Sequence, residues 1–144
     1  MNAQTIENTD NNSTESYQLI KDEHLNNLVI TSQVLSGSRI LLSTYKGVVF
    51  SESSFYACEF QGVTFENCVF EDCNFDFSHF RKCSFVNCSF VGCNKKATSS
   101  LNCFYSNCVF EPESSSWVDE TCNTVLNTKN DHTTDIYISL SMAA

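Results

Sequence analysis

The residues most able to do chemistry in this 144-residue chain are its nine cysteines, three histidines and a scatter of acids. Nine thiols in so short a chain would suit a disulfide scaffold, a zinc site or a nucleophile. Zinc calls for four thiolates converging in paired C-x₂₋₄-C knuckles. Here the cysteines recur at intervals of five or multiples of five: Cys58, Cys68, Cys73, Cys83, Cys88, Cys93, Cys103 and Cys108, with only Cys122 off the series. That spacing converges on no point, so no metal is expected. His24, His79 and His132 have no Ser or Cys partner in a triad-like arrangement, and no catalytic residue and no cofactor are expected. The acids Glu52, Glu71, Asp72 and Glu111 form the one group that could face a partner.

The cysteine spacing belongs to a larger frame. Ile30, Leu35, Ile40, Tyr45, Phe50, Phe55, Phe60, Phe65, Phe70, Phe75, Phe80, Phe85 and Phe90 fall on every fifth residue, and Tyr105 and Phe110 keep the phase. From Ile40 onward a small residue stands two places before each, among them Ser38, Ser43, Val48, Ser53, Val63, Ser78 and the periodic cysteines, with Cys93 keeping the same phase. A period of five fits neither the 3.6 of an α-helix nor the 2 of a strand, so it marks a repeat architecture. A second period of twenty is visible: Asn67-Cys68-Val69-Phe70 returns as Asn87-Cys88-Ser89-Phe90 and again as Asn107-Cys108-Val109-Phe110. If one coil has four sides of five residues, positions twenty apart stack at strand spacing, about 4.8 Å. The large residue and the small one two before it then point inward, and the other three face solvent. Phe50, Phe70, Phe90 and Phe110 should form one column, Phe65, Phe85 and Tyr105 another. Asn67, Asn87 and Asn107 should form an amide ladder.

The frame resembles that of the pentapeptide-repeat family over residues 28–112. The departures are Cys where the family mostly has Ala, and Phe where it often has Leu. The resemblance implies an all-β fold, a right-handed quadrilateral β-helix, here of a little over four coils. It also implies what such proteins do. Well-understood members bind type II topoisomerases such as DNA gyrase as acidic mimics of duplex DNA, some as protection or immunity proteins. Others are secreted bacterial effectors.

Residues 1–16 are polar and expected to be disordered, and 17–27 to make a short helix or irregular cap. Lys95 and Ser100 occupy large-residue positions, so Asn94 to Leu101 should bulge from the coil. After Phe110 the pattern is expected to stop, leaving 113–144 as an acidic tail in which one apolar island could shield the open last coil. The inward cysteines are expected to be small apolar filler. His79 and Glu59, twenty apart, should form an exposed pair.

Charge restricts the partners. The net charge is −9, but residues 46–110 hold six acids against five bases. A basic nucleic-acid footprint is missing, so no direct nucleic-acid contact is expected. No apolar run approaches a membrane span, and the first residues lack the pattern of a secretory leader. A cytoplasmic protein is expected, or one secreted by a signal-peptide-independent system. The function expected is non-enzymatic binding of another protein, with the Glu52, Glu71, Asp72 and Glu111 strip as a candidate contact. A topoisomerase is the alternative partner, although the weak charge along the repeats counts against DNA mimicry.

Overall fold

The computed structural model describes residues 4–7, 18–111, 118–119 and 121–130. The chain winds into a solenoid of parallel β-structure with four sides per coil. Three sides are parallel sheets. The first side stacks Leu19–Lys21, Arg39–Leu41, Glu59–Gln61, His79–Arg81 and Ser99–Leu101. The second stacks six strands from His24–Asn26 to Thr124–Leu126, and the third seven from Gln4–Glu7 to Lys129–Asn130. Within the repeats the register is twenty throughout, so Phe70 lies between Phe50 and Phe90. Among the described residues the fourth side has no strand; it is held by single bridges through Val34, Ser54, Asn74 and Asn94.

Two features of the five-residue unit make this geometry. The large residue at the centre of each unit is buried, and its rings stack face to face along the axis. Phe50 and Phe70 are 5.0 Å apart and 4° from parallel, and Phe85 and Tyr105 are 4.9 Å and 1°. Rings on adjacent sides meet edge to face, as Phe65 does with Phe70 at 5.3 Å and 72°. Both are the arrangements an aromatic quadrupole favours. The second feature is the corner. Two residues after each centre the backbone has positive φ, at Asn27, Asn67, Asn87, Asn102, Asn107, Asn127, Gly47, Gly62 and Gly92 among others. Asn and Gly enter this region at least cost. The asparagines are therefore corner formers. Asn67, Asn87 and Asn107 donate from their backbone N–H to Val86, Ser106 and Leu126, and their amides make no hydrogen bonds to one another, so the expected ladder is corrected.

The coil is longer than the sequence reading had it. Where a helix or irregular cap is expected over 17–27, the described residues 18–27 form neither; Leu19–Lys21 and His24–Asn26 are first-coil strands with Ile20 and Leu25 facing inward. Within the segment expected to be disordered, Gln4–Glu7 pairs with Leu28–Thr31. Asn94 to Leu101 does not bulge: Ser99–Leu101 pairs in register with His79–Arg81 and Ser100 is buried. The pattern also resumes after Phe110, where Val125 lies in register with Tyr105 and both are buried. Among the described residues the second side thus counts six stacked strands, against the little over four coils expected. Pro112, Trp117 and 131–144 lie outside the described residues.

Candidate interaction faces

The small inward residues do more than fill space. Strand pairing satisfies the backbone near each centre but leaves the inward unit's groups to find partners. Ser38, Ser43 and Ser53 accept, at Oγ, the N–H of Gln18, Glu23 and Gln33 at 3.0–3.1 Å. The thiols donate to the preceding coil: Cys68 to the Tyr45 carbonyl, Cys73 to Phe50, Cys88 to Phe65 and Cys108 to Phe85, all at 3.3–3.4 Å. Ser78 donates to Phe55 and Thr98 to Phe75. Buried backbone groups without partners are costly, so Ser, Thr and Cys suit this position better than Ala. Beyond the apolar filling expected of them, the cysteines knit the coils. The signal was present in the alternation of Cys with Ser.

All nine cysteines are free thiols, and the eight periodic ones are buried. Burial pushes the Cys58 thiol up to about 11. For Cys73, Cys83 and Cys88 the bond to a stacked thiol and then burial push ionisation up as well. A nucleophile needs the thiolate; Cys58 holds its proton, whereas the bond to a stacked thiol shifts Cys68, Cys93, Cys103 and Cys108 down.

The structure buries each expected core residue: Phe50, Phe55, Phe60, Phe65, Phe70, Phe75, Phe80, Phe85, Phe90, Tyr105 and Phe110, with Cys68, Cys73, Cys83, Cys88, Cys93, Cys103 and Cys108. The four acids are only partly brought together. Glu52 and Asp72 sit on successive corners, with Glu71 beside them and all three exposed. In the next coil exposed Val91 and Gly92 interrupt the strip. Glu111 is half-buried and its Oε1 accepts the Gly92 N–H at 2.5 Å. At Gly92, with φ +66°, an added Cβ would strike the Asp72 carboxylate, so only glycine leaves that oxygen its place.

Elsewhere acids are neutralised locally. Glu59 pairs with Arg39 at 3.4 Å, not with His79, whose Nδ1 meets Ser99 Oγ at 2.6 Å. Glu66 lies 3.9 Å from Lys46. Such exposed pairs contribute little to stability, but they lower the field a partner would meet.

The fourth side is different. Four successive coils close it with a tight turn, in which the N–H of Ser38, Cys58, Ser78 and Thr98 donates back three residues. The third residue of each turn has positive φ: Gly37, Ala57, Phe77 and Ala97. That position favours Gly, and Phe77 occupies it at φ 62° while 40% exposed. Its ring meets exposed Tyr56 edge to face at 5.4 Å. Val34 is exposed on the same side, and Lys96 follows in the next coil. The sequence reading missed this pair; the signal was an aromatic at an outward position of the frame.

Among the described residues no helix is long and apolar enough to cross a membrane, and no group of three or more His, Cys, Asp or Glu is placed to hold a metal.

In comparisons with known proteins, residues 58–94 match the family of pentapeptide repeats, in eight copies. No curated protein sequence matches the chain. Among solved structures, a candidate glycosyl hydrolase from Parabacteroides merdae ATCC 43184 is 11% identical, covering 84% of this chain and 79% of its own, with a TM-score of 0.42. A pentapeptide-repeat protein, Rfr23, from the cyanobacterium Cyanothece 51142 is 6% identical over 78% and 87%, with a TM-score of 0.38. QnrB1, a plasmid-mediated fluoroquinolone resistance protein, is 11% identical over 98% and 95%, with a TM-score of 0.31. These superpositions are too loose to carry a functional conclusion.

Proposed function

We propose that this chain, a pentapeptide-repeat protein, is a non-catalytic module that binds another protein, and that the fourth side of its coil is the docking face. The observation that carries this is the Tyr56–Phe77 pair. Phe77 is an aromatic in left-handed backbone, which costs roughly 1–3 kcal/mol where the surroundings do not favour it. Neither its ring nor that of Tyr56 adds to the core, since both are exposed. Aromatics presented on a rigid surface are the residues that anchor protein interfaces. Ala57 and Ala97, on either side of Phe77 along the corner, leave its faces open.

The acidic strip is the weaker candidate. Glu111 is held by the coil, Val91 breaks the series, and Glu59 and Glu66 are paired with bases. Duplex DNA carries a charge about every 1.7 Å, and this rod supports no comparable row. A topoisomerase partner is therefore not the reading preferred. Protein at micromolar concentration should leave gyrase supercoiling unchanged and give no rescue from a quinolone.

The test is capture on immobilised full-length chain, with the retained protein then purified and its binding measured. Tyr56→Ser with Phe77→Asn should abolish retention while leaving the coil folded. Retention unchanged by the double substitution would remove the fourth side from the account.

A further inference from the structure

The ring stacks are unfinished at the N-terminal end of the coil. On the third and fourth sides they begin at Phe50 and Phe55, and the first-coil residues above them are Ile30 and Leu35. The second side runs Leu25, Tyr45, Phe65, and the first side Ile20, Ile40, Phe60. Branched aliphatic side chains are shorter than phenyl rings, so four of them do not fill a cross-section that four rings fill below. A cavity of about 190 Å³ remains, lined by the inward side chains of the first two coils, with Phe60 and Phe65 from the third. Its polar lining is Gln18, Gln33 and one hydrogen-bonded pair, in which the Tyr45 hydroxyl donates to Glu23 Oε1 at 2.8 Å. The Glu23 carboxylate still has acceptor capacity, and its side chain lines the cavity.

We propose that this mouth binds a small planar aromatic molecule carrying one N–H or O–H donor, of about the size of indole or phenol. Volume sets the size: an apolar cavity of about 150 Å³ accommodates a benzene ring, so one ring or two fused rings suit this one. Shape sets the class, because the cavity opens onto stacked rings spaced 4.4–5.4 Å, and a further flat ring continues that spacing. Glu23 sets the donor: a hydrogen bond to a carboxylate is stronger than one to a neutral acceptor. A ring without a donor gains only the apolar burial. This site lies apart from the fourth-side face and stands independently of it.

Indole and its carbon isostere indene separate these contributions in calorimetric titration of the full chain. Indole should bind at one site per chain, about tenfold more tightly than indene, the size of one charge-assisted hydrogen bond. Glu23→Gln should reduce that preference, and Ile30→Phe should abolish binding of both ligands by completing a ring column. Leu35→Phe does the same on the fourth side should the first replacement fail to fold. No saturable indole binding at millimolar ligand would overturn the proposal, as would equal affinity for indene or unchanged binding by a folded, filled variant. Binding that appears only after removal of residues 1–17 would also overturn it, because the mouth would then belong to the chain's own N-terminal segment.

Discussion

The three stranded sides and the turned fourth side use the same five-residue unit differently. On the second side every coil from Tyr45 to Tyr105 places a ring inward, and the stack is continuous. On the fourth side the column runs Leu35, Phe55, Phe75 and then Lys95, and the turns beside it carry Tyr56 and Phe77 outward. Strand sides spend their aromatic residues on cohesion. The fourth side, whose shape is already fixed by turn hydrogen bonds, has aromatic residues to present.

The largest effect should come from breaking a strand-side stack. Phe70→Ala removes a ring held between Phe50 and Phe90 and should cost about 3–5 kcal/mol, measured by denaturant unfolding. Glu71→Ala, one residue on and exposed, should stay within about 0.5 kcal/mol of wild type. Equal stability of the two variants would refute the column arrangement.

Next in size is the response to alkali. Burial raises the folded-state value of Cys58, so this native thiol keeps its proton when the unfolded chain loses it. Stability from this source is full below the ordinary thiol value of 9.0 and is lost as pH rises from there toward the Cys58 value of about 11. The direction follows from linkage. The Cys58 contribution to unfolding free energy should fall with pH above 9, so the stability difference between wild type and Cys58→Ser should shrink between pH 9 and 11. At neutral pH a thiol reagent should modify the half-exposed Cys122 first and the eight buried cysteines only after denaturation.

Smaller again is the contribution of one inter-coil thiol bond. Cys88→Ala removes the donor to Phe65 and should cost about 1 kcal/mol more than Cys88→Ser, which keeps one. If the alanine variant is the more stable, packing alone explains the position. The smallest stability effect is expected at the fourth side, where Phe77→Asn relieves left-handed strain and should raise stability by up to about 1 kcal/mol.

Much of this was legible in the sequence, because burial and register follow from one period. Phe70 needs no context beyond residues fifty and ninety. The end coils were harder. Ile20 and Leu25 sit on the frame, but their side chains are ordinary and their neighbours are charged, so the period fades against the background. Val125 is separated from Phe110 by residues that break the composition but not the count. The corner asparagines were visible as a repeat, yet an amide ladder and a left-handed corner predict the same spacing. Only backbone geometry separates them. Tyr56 and Phe77 are far enough apart in sequence that their contact appears only once the coil brings successive turns together.

The most direct measurement of the central claim is the affinity of the retained partner for three folded forms of the full chain. These are wild type, the fourth-side variant Tyr56→Ser with Phe77→Asn, and a third-side variant with Glu71→Lys and Asp72→Lys. The account predicts a loss of tenfold or more, about 1.4 kcal/mol or greater, for the fourth-side variant and no change for the third-side one. Binding that survives loss of the aromatic pair but is lost on charge reversal would contradict it and make the acidic strip the docking face.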